Sequence, residues 1–464
     1  MTITSLAVRL LSRQISPFFV GWRMKKGLQS LGFSFESDAL THYGGLFLIQ
    51  RFCHKLNFRR RLQRAFRSAP AGLDFNPVDL VGMILFFLIA GVQRLNKTDK
   101  LQYDGFFHSL LGLNSVPDET TLRRFLKRLS PAAIRELVRL HDQMRADLFS
   151  RPRLRTSLEF HLDSVVLTLY GKQQGARLGY NPKAKGRRSY HPILCFESHG
   201  QEFWHGSLRP GDAGANTGAR FIIKRILAKV PATIPSSRIR FLMDAGFFSS
   251  YVMDDLEQAG CGYTIVCRTY TAYLRLAEKA GFKNLHFGWG VAEFVHQPQK
   301  WKRERRFVVI RRPLPVDSEE VAQLTLFKDK KYSYSVLVTN LATKPWRVWT
   351  DYVDRSNIER SIRELLNDLA LGKIPTDTWT ANVAFFQLLL LAYNLVHWFK
   401  RFTLPADALG KTMETLRHQL IAIPGQLICR SGKNVLLLPR NFPRQKEFLA
   451  VARELEKLKL PRGI

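Results

Sequence analysis

Leu158-Glu159-Phe160-His161-Leu162-Asp163-Ser164-Val165-Val166-Leu167-Thr168-Leu169 is the stretch on which the reading of this chain turns. It is β-rich, and it carries an aspartate inside an otherwise apolar run, where an unpaired carboxylate is costly to bury. A second strand, Phe241-Leu242-Met243-Asp244-Ala245-Gly246-Phe247, ends on another aspartate. Taken singly, Asp163 and Asp244 read as a salt bridge or a helix cap. Taken together on two strands of one sheet, they read as a site, because one metal shared by both answers the cost of burying each.

Working outward, Tyr190 to Phe196, Phe203 to Leu208, Arg240 to Met243 and Tyr263 to Cys267 are further β-rich runs, with helical stretches at 215–229 and 249–259. Three strands in succession, then helix, strand, helix, strand, is the order of a ribonuclease H-like fold. The expected class is therefore α/β: a mixed sheet with flanking helices, a β-rich inserted subdomain and a helical N-terminal region. The expected divisions are a basic arm over 1–37, a helical DNA-binding region over 38–150, the first part of the core over 151–283 and the β-rich insertion over 284–349. The core resumes over 350–402 with two helices, and 403–464 is a basic C-terminal region.

Lys and Arg total 71 against 38 Asp and Glu, a formal charge of +33 on 464 residues. That excess calls for a polyanionic partner or a membrane surface. At 45% hydrophobic and 12% aromatic the chain is too apolar for a disordered basic tail. The five cysteines are scattered with no C-x-x-C pair, which excludes a disulfide framework and points to a reducing compartment. Two apolar runs need a membrane check. Leu80 to Val92 is too short to span, and Val383 to Phe399 contains Gln387, Asn394 and His397, so both read as core helices.

Cleavage of a phosphodiester without a covalent intermediate needs an activated water, a stabilised leaving oxygen and neutralised charge, and two metal ions supply all three. Oxygen ligands suit Mg²⁺. A third acid comes from Asp351, Asp354, Glu359, Glu364 or Asp368. At about 100° per residue, Tyr352, Arg355, Glu359, Arg363 and Leu366 share one helix face while Glu364 points away. Glu359 then sits with Arg355 either as a metal ligand beside a phosphate-binding guanidinium or as a plain i,i+4 salt bridge.

These residues resemble the DDE transposases of bacterial insertion sequences, in the group with the signature Y-x2-R-x3-E-x6-K. Tyr352, Arg355 and Glu359 stand at the right spacing, with H-L-D-S-V around Asp163 and L-M-D-A-G-F-F around Asp244. The long interval from Asp244 to Glu359 matches the β insertion of that group. One position departs: Leu366 stands where the signature has lysine, so that contact with DNA is lost or passes to Arg363 or Lys373.

The resemblance implies that Asp163, Asp244 and Glu359 are catalytic and hold two Mg²⁺ or Mn²⁺ ions. It also implies that the protein cuts and joins double-stranded DNA at terminal inverted repeats and in a target, as a homodimer assembled on DNA. The expected location is cytoplasmic, associated with a bacterial nucleoid, with no membrane partner. An inactive DNA-binding descendant and a metal-dependent nuclease are the alternatives.

Basic clusters at Arg59-Arg60-Arg61, Lys183-Ala184-Lys185-Gly186-Arg187-Arg188 and Lys300 through Arg306 form a distributed phosphate footprint. Asp118 followed by Arg123 and Arg124 reads either as the start of a recognition helix or as an ordinary amphipathic helix. Related enzymes use an insertion-domain tryptophan to hold a flipped base, and Trp301, among Lys300, Lys302 and Arg303, is the candidate. Tyr352, Arg355 and Arg363 complete the expected DNA contacts, and His161 is expected to be a packed core histidine.

Overall fold

The computed structural model describes residues 39–67, 74–112, 115–149, 156–314 and 332–459. The arm expected over 1–37 lies outside the described residues. Helices lead the chain: α1 (Leu46–Lys55), α2 (Phe58–Ala65), α3 (Pro77–Ala90), α4 (Glu119–Arg128) and α5 (Pro131–Phe149). α3 shows why the boundaries fall where they do. Asn76 accepts a hydrogen bond from Val78 N at 2.9 Å, Pro77 holds the first helical position, and Gly91 ends the helix at φ 92°.

The main sheet has nine strands. In chain order they are β1 (Leu158–Ser164), β2 (Ile193–Glu197), β3 (Glu202–Ser207), β4 (Ile239–Met243), β5 (Gly262–Cys267), β6 (Lys283–Asn284), β7 (Gly290–His296), β8 (Arg305–Pro313) and β9 (Tyr332–Thr339). In space the order is β6-β7-β8-β9-β5-β4-β1-β2-β3. The short turn between β2 and β3 makes that pair antiparallel. Helical crossovers α6 (Ala219–Leu227) and α7 (Ser250–Gln258) lead into β4 and β5, so β1, β4 and β5 run parallel. The β-rich stretch after 284 extends this same sheet, since β9 pairs with β5 (Val338 opposite Ile265) and β8, β7 and β6 follow outward.

Alternation along β1 sorts its side chains. Leu158, Phe160 and Leu162 pack with Ile222, Ile226, Val252 and Leu256 of the crossover helices. Glu159, His161 and Asp163 share the opposite face, which is also buried.

The chain then forms α8 (Pro345–Val353), α9 (Ser356–Glu364) and α10 (Trp379–Thr403). Sequence reading gives one helix across Tyr352 to Leu366. The chain instead breaks between α8 and α9 at Asp354 and Arg355, and a π turn follows at Leu365–Leu369.

α10 is long and apolar enough to cross a membrane, yet it is mostly buried against α3, α4, α5 and β3 in one core. Its amides explain the fit. Asn394 accepts from Phe203 N at 2.9 Å and donates to Phe203 O at 2.8 Å, and Gln387 donates to Gly206 O at 2.9 Å. These side chains pair backbone groups that the sheet's edge strand leaves open.

Gly206 is where helix and strand come closest. A Cβ there would lie 2.4 Å from Leu390 Cδ1 and 3.0 Å from Phe386 Cε1. Gly206→Val is expected to destabilise the fold by about 1–3 kcal/mol through overpacking, measured as a lower denaturant midpoint. An unchanged midpoint would show that α10 does not lie this close to β3.

Candidate active site

Parallel pairing of β1 with β4 sets Leu162 opposite Met243. The next residue on each strand is an aspartate, so Asp163 and Asp244 emerge side by side at the carboxyl ends of adjacent parallel strands, the usual place for a site in an α/β sheet. Asp163 Oδ1 accepts from Ser164 N at 2.8 Å. Asp244 caps the turn Ala245–Phe247 by accepting from Gly246 N at 3.0 Å.

Arg355 joins this pair to the third acid. Its Nη2 lies 3.0 Å from Asp163 Oδ2 and its Nη1 2.9 Å from Glu359 Oε1. The guanidinium is almost wholly buried, and its Nε has no partner. Glu359 lies on the exposed side of α9, its side chain 56% accessible. Glu364, one turn on, is buried instead. It accepts from Met413 N and lies 3.6 Å from His397 Nε2, a packing role away from the aspartates. Asp351 is also spoken for, by Arg240 and Arg347 at 2.7 Å each.

Burial pushes the Asp163 carboxyl up to about 6; Arg355 pulls it down, while the negative fields of Asp244 and Glu359 add to the rise. Tyr352, at the end of α8, is pushed up to about 12, first by burial, with Arg355 opposing and all three carboxylates contributing. Its ring stacks on Trp349 with centroids 6.4 Å apart. Tyr352, Arg355, Asp163, Asp244 and Glu359 thus share one electrostatic site.

As they stand, the carboxylates among the described residues do not close around a single point. Arg355 lies between Asp163 and Glu359 and supplies the positive charge. The donor set still fits a hard divalent cation: it is all oxygen, two members sit on strand ends, and their mutual repulsion with burial raises Asp163. A cation there relieves that repulsion in competition with Arg355.

A second polar pair flanks Asp163 and carries no sequence signal. His191 Nδ1 is 2.7 Å from Ala213 O, which can only accept, so Nδ1 holds the proton and Nε2 accepts from Ser164 Oγ at 3.0 Å. Burial lowers the His191 pKa, which favours the neutral ring. Arg209 braces the same loop through His191 O, Gly214 O, Ala215 O and Thr217 O. A lone histidine between strands gives no periodic clue, and only the β1–β2 pairing brings it here.

The other expected residues separate into two groups. Lys183, Lys185, Arg187 and Arg188 are exposed on the β1–β2 connection, and Arg187 lies 5.9 Å from the Tyr170 ring centroid. Arg363 and Arg124 are exposed as well. Arg123 is engaged within the fold, with Glu119 at 2.6 Å and Pro375 O. Arg59 and Arg61 pair with Asp79 and Asp147, and Arg303, Arg305 and Arg306 pair with Asp254, Glu257 and Glu293. Trp301 is half-buried against Phe248 and Phe307, with Arg305 over its ring at 5.0 Å. His161 is fully buried, 2.8 Å from Glu159. Leu366 packs against the helical core with Gly372 beside it.

Fold and site together define a mixed α/β protein with two aspartates at the carboxyl ends of adjacent parallel strands and a helix glutamate joined to Asp163 through Arg355. The chain belongs to the DDE transposases: the family model described as Transposase DDE domain group 1 matches residues 25–460. Members of that family generally use divalent metal ions. No curated protein sequence matches the chain. Among solved structures, the piggyBac transposase synaptic complex with hairpin DNA, determined by cryo-electron microscopy, is similar at 10% identity and a TM-score of 0.44, over 90% of this chain and 83% of that one.

The raised Asp163 pKa has a stability consequence with a defined sign. An aspartate that titrates near 4 when unfolded and near 6 when folded keeps its proton longer in the native state, so stability falls as pH rises from about 4 to about 6. The loss is on the order of 2–3 kcal/mol. Asp163→Asn is expected to remove that slope, and Arg355→Gln to shift it to higher pH. Urea denaturation of all three proteins across pH 4–7 checks this; identical slopes in the parent and Asp163→Asn would refute it.

Proposed function

We propose that the protein is a transposase that cleaves DNA at the terminal inverted repeats of its insertion sequence and joins the freed end to target DNA. The observation that carries this reading is the register of β1 and β4, which sets Asp163 beside Asp244, with Arg355 linking Asp163 to Glu359. The sheet order β3-β2-β1-β4-β5, with the first three strands antiparallel and the last three parallel, supports a ribonuclease H-like core.

Asp163, Asp244 and Glu359 are the residues that would hold two divalent ions, Mg²⁺ or Mn²⁺. Bound metal supplies charge neutralisation at the phosphate and an acidified water. The chain's own residues do the positioning. Arg355, released from its carboxylates, is placed to take a phosphate oxygen with its fork of donors. His191 holds Ser164, next to Asp163, through a neutral ring nitrogen. The exposed cations Lys183, Lys185, Arg187 and Arg188, with Arg363 and Arg124, provide DNA contacts. Two ends are processed by a homodimer assembled on DNA, in a bacterial cytoplasm.

Three substitutions test the chemistry. Purified protein with Mg²⁺ or Mn²⁺ is given linear DNA carrying the inverted repeats. Asp163→Ala, Asp244→Ala and Glu359→Ala are each expected to lower cleavage by at least roughly a hundredfold, the cost of losing even an indirect metal partner, while repeat binding in a gel-shift assay persists. Cleavage that survives all three changes sinks the site. Binding without cleavage in the parent favours an inactive DNA-binding descendant, and cleavage without joined product favours a nuclease.

A further inference from the structure

A cavity of about 270 Å³ lies where four segments meet: the turn after α3, α4, the connection after β1, and the chain between α9 and α10. Its lining contains Arg94, Arg123 and Lys373, the amides of Gln93, Asn96 and Gln173, and no carboxylate. In a folded protein cations usually line a wall together with acids, as Arg59, Arg61, Arg303, Arg305 and Arg306 do here. Arg123 is paired with Glu119 outside the lining, and the two remaining cations give the hollow a positive field that an anion answers.

The three cations are not equivalent. Arg123 is braced by Glu119 and Pro375 O and forms part of the wall. Arg94 and Lys373 make no ion pair with any described residue, so their charge is available to a ligand. Gln173, also in the lining, has a buried Oε1 without a hydrogen-bond partner. Tyr170 stands in the lining with its side chain 83% exposed, and its ring gives a base a face on which to stack.

We infer that this cavity binds one nucleotide unit of DNA, its phosphate held by Arg94 and Lys373 and its base laid on Tyr170. The volume matches a phosphate with its sugar and not a base pair, so the occupant we infer is an unpaired nucleotide, either at a strand terminus or within a single strand. The inference rests on the reading above only for DNA as the source of that nucleotide. Nucleotide binding is measured without cleavage, so failure here and failure of the carboxylate site are separate results.

Full-length protein in low salt is titrated with deoxyadenosine 5′-monophosphate, deoxyadenosine and pyrophosphate, read by thermal shift and by phosphorus NMR. The monophosphate is expected to bind and the nucleoside to bind at least about tenfold more weakly. The double variant Arg94→Ala/Lys373→Ala should lose the monophosphate by at least about tenfold, while Arg430→Ala/Lys433→Ala, which removes the same charge from an exposed C-terminal hairpin, should stay within about twofold. Tyr170→Ala should weaken the monophosphate and leave pyrophosphate unchanged. Equal losses in both double variants, or monophosphate affinity that survives in Arg94→Ala/Lys373→Ala, overturns the site, and an unaltered monophosphate affinity in Tyr170→Ala overturns the role of the ring. Single-stranded oligonucleotides with and without a 5′-phosphate then distinguish the source. A loss confined to the phosphorylated strand supports a terminal phosphate, an equal loss on both supports an internal diester, and no loss on either overturns DNA as the source.

Discussion

Much of this molecule is arranged around one buried ion pair, Asp163 with Arg355. A carboxylate on the last turn of a central strand cannot stay ionised without a counter-charge, and the desolvation it suffers exceeds what a surface pair returns. Arg355 meets that need from the break between α8 and α9, which fixes where both helices stand over the sheet. Its second arm reaches Glu359, whose own side chain is largely in solvent, so that contact contributes only tenths of a kcal/mol by itself. The asymmetry matters: the inner pair sets position, and the outer carboxylate is left free to exchange partners.

Satisfaction of buried charge continues along the same strand. Glu159, two pairs of residues before Asp163 on the same face, contacts His161, Ser198 and Arg240, and Arg240 passes on to Asp351 of α8. β1 therefore presents a row of polar groups whose two acids, Glu159 and Asp163, are matched by cations distant in sequence. The row ties β4 and α8 to the strand that carries Asp163. Changes in this network reach the carboxylates through the position of α8, since Tyr352 closes that helix and Arg355 follows it.

The order of strands in the first half of the sheet was legible because alternating β-rich runs and helical crossovers dictate pairing direction. Asp163 and Asp244 were legible for the same reason: each ends or interrupts an apolar strand, where charge is conspicuous. Long-range pairing was not. The strands after Asn284 join the core sheet through Val338 and Ile265, a contact between residues 73 positions apart that no local pattern announces. The ion pairing inside the charge clusters was not legible either. Counting cations gives a footprint at 59–61 and 300–306, within which Arg59, Arg61, Arg303, Arg305 and Arg306 pair with Asp79, Asp147, Asp254, Glu257 and Glu293 on other elements. Only the 183–188 connection keeps all its cations exposed, because Asn181 and Gly186 shape it as a projecting loop with no acid at hand.

α10 determines how far the N-terminal helices can act on their own. Its apolar surface is shared between α3, α4 and α5 on one side and β3 on the other, with Asn394 bonded both to Phe203 and to His141 of α5. His141 is buried and held down to about 4, so it stays neutral and accepts that bond across the physiological range. Withdrawing α10 from either side would leave an amide, a histidine and the open edge of β3 unsatisfied at once, at a cost well above any single hydrogen bond. The basic helix α4 and the Glu359 helix are therefore parts of one body.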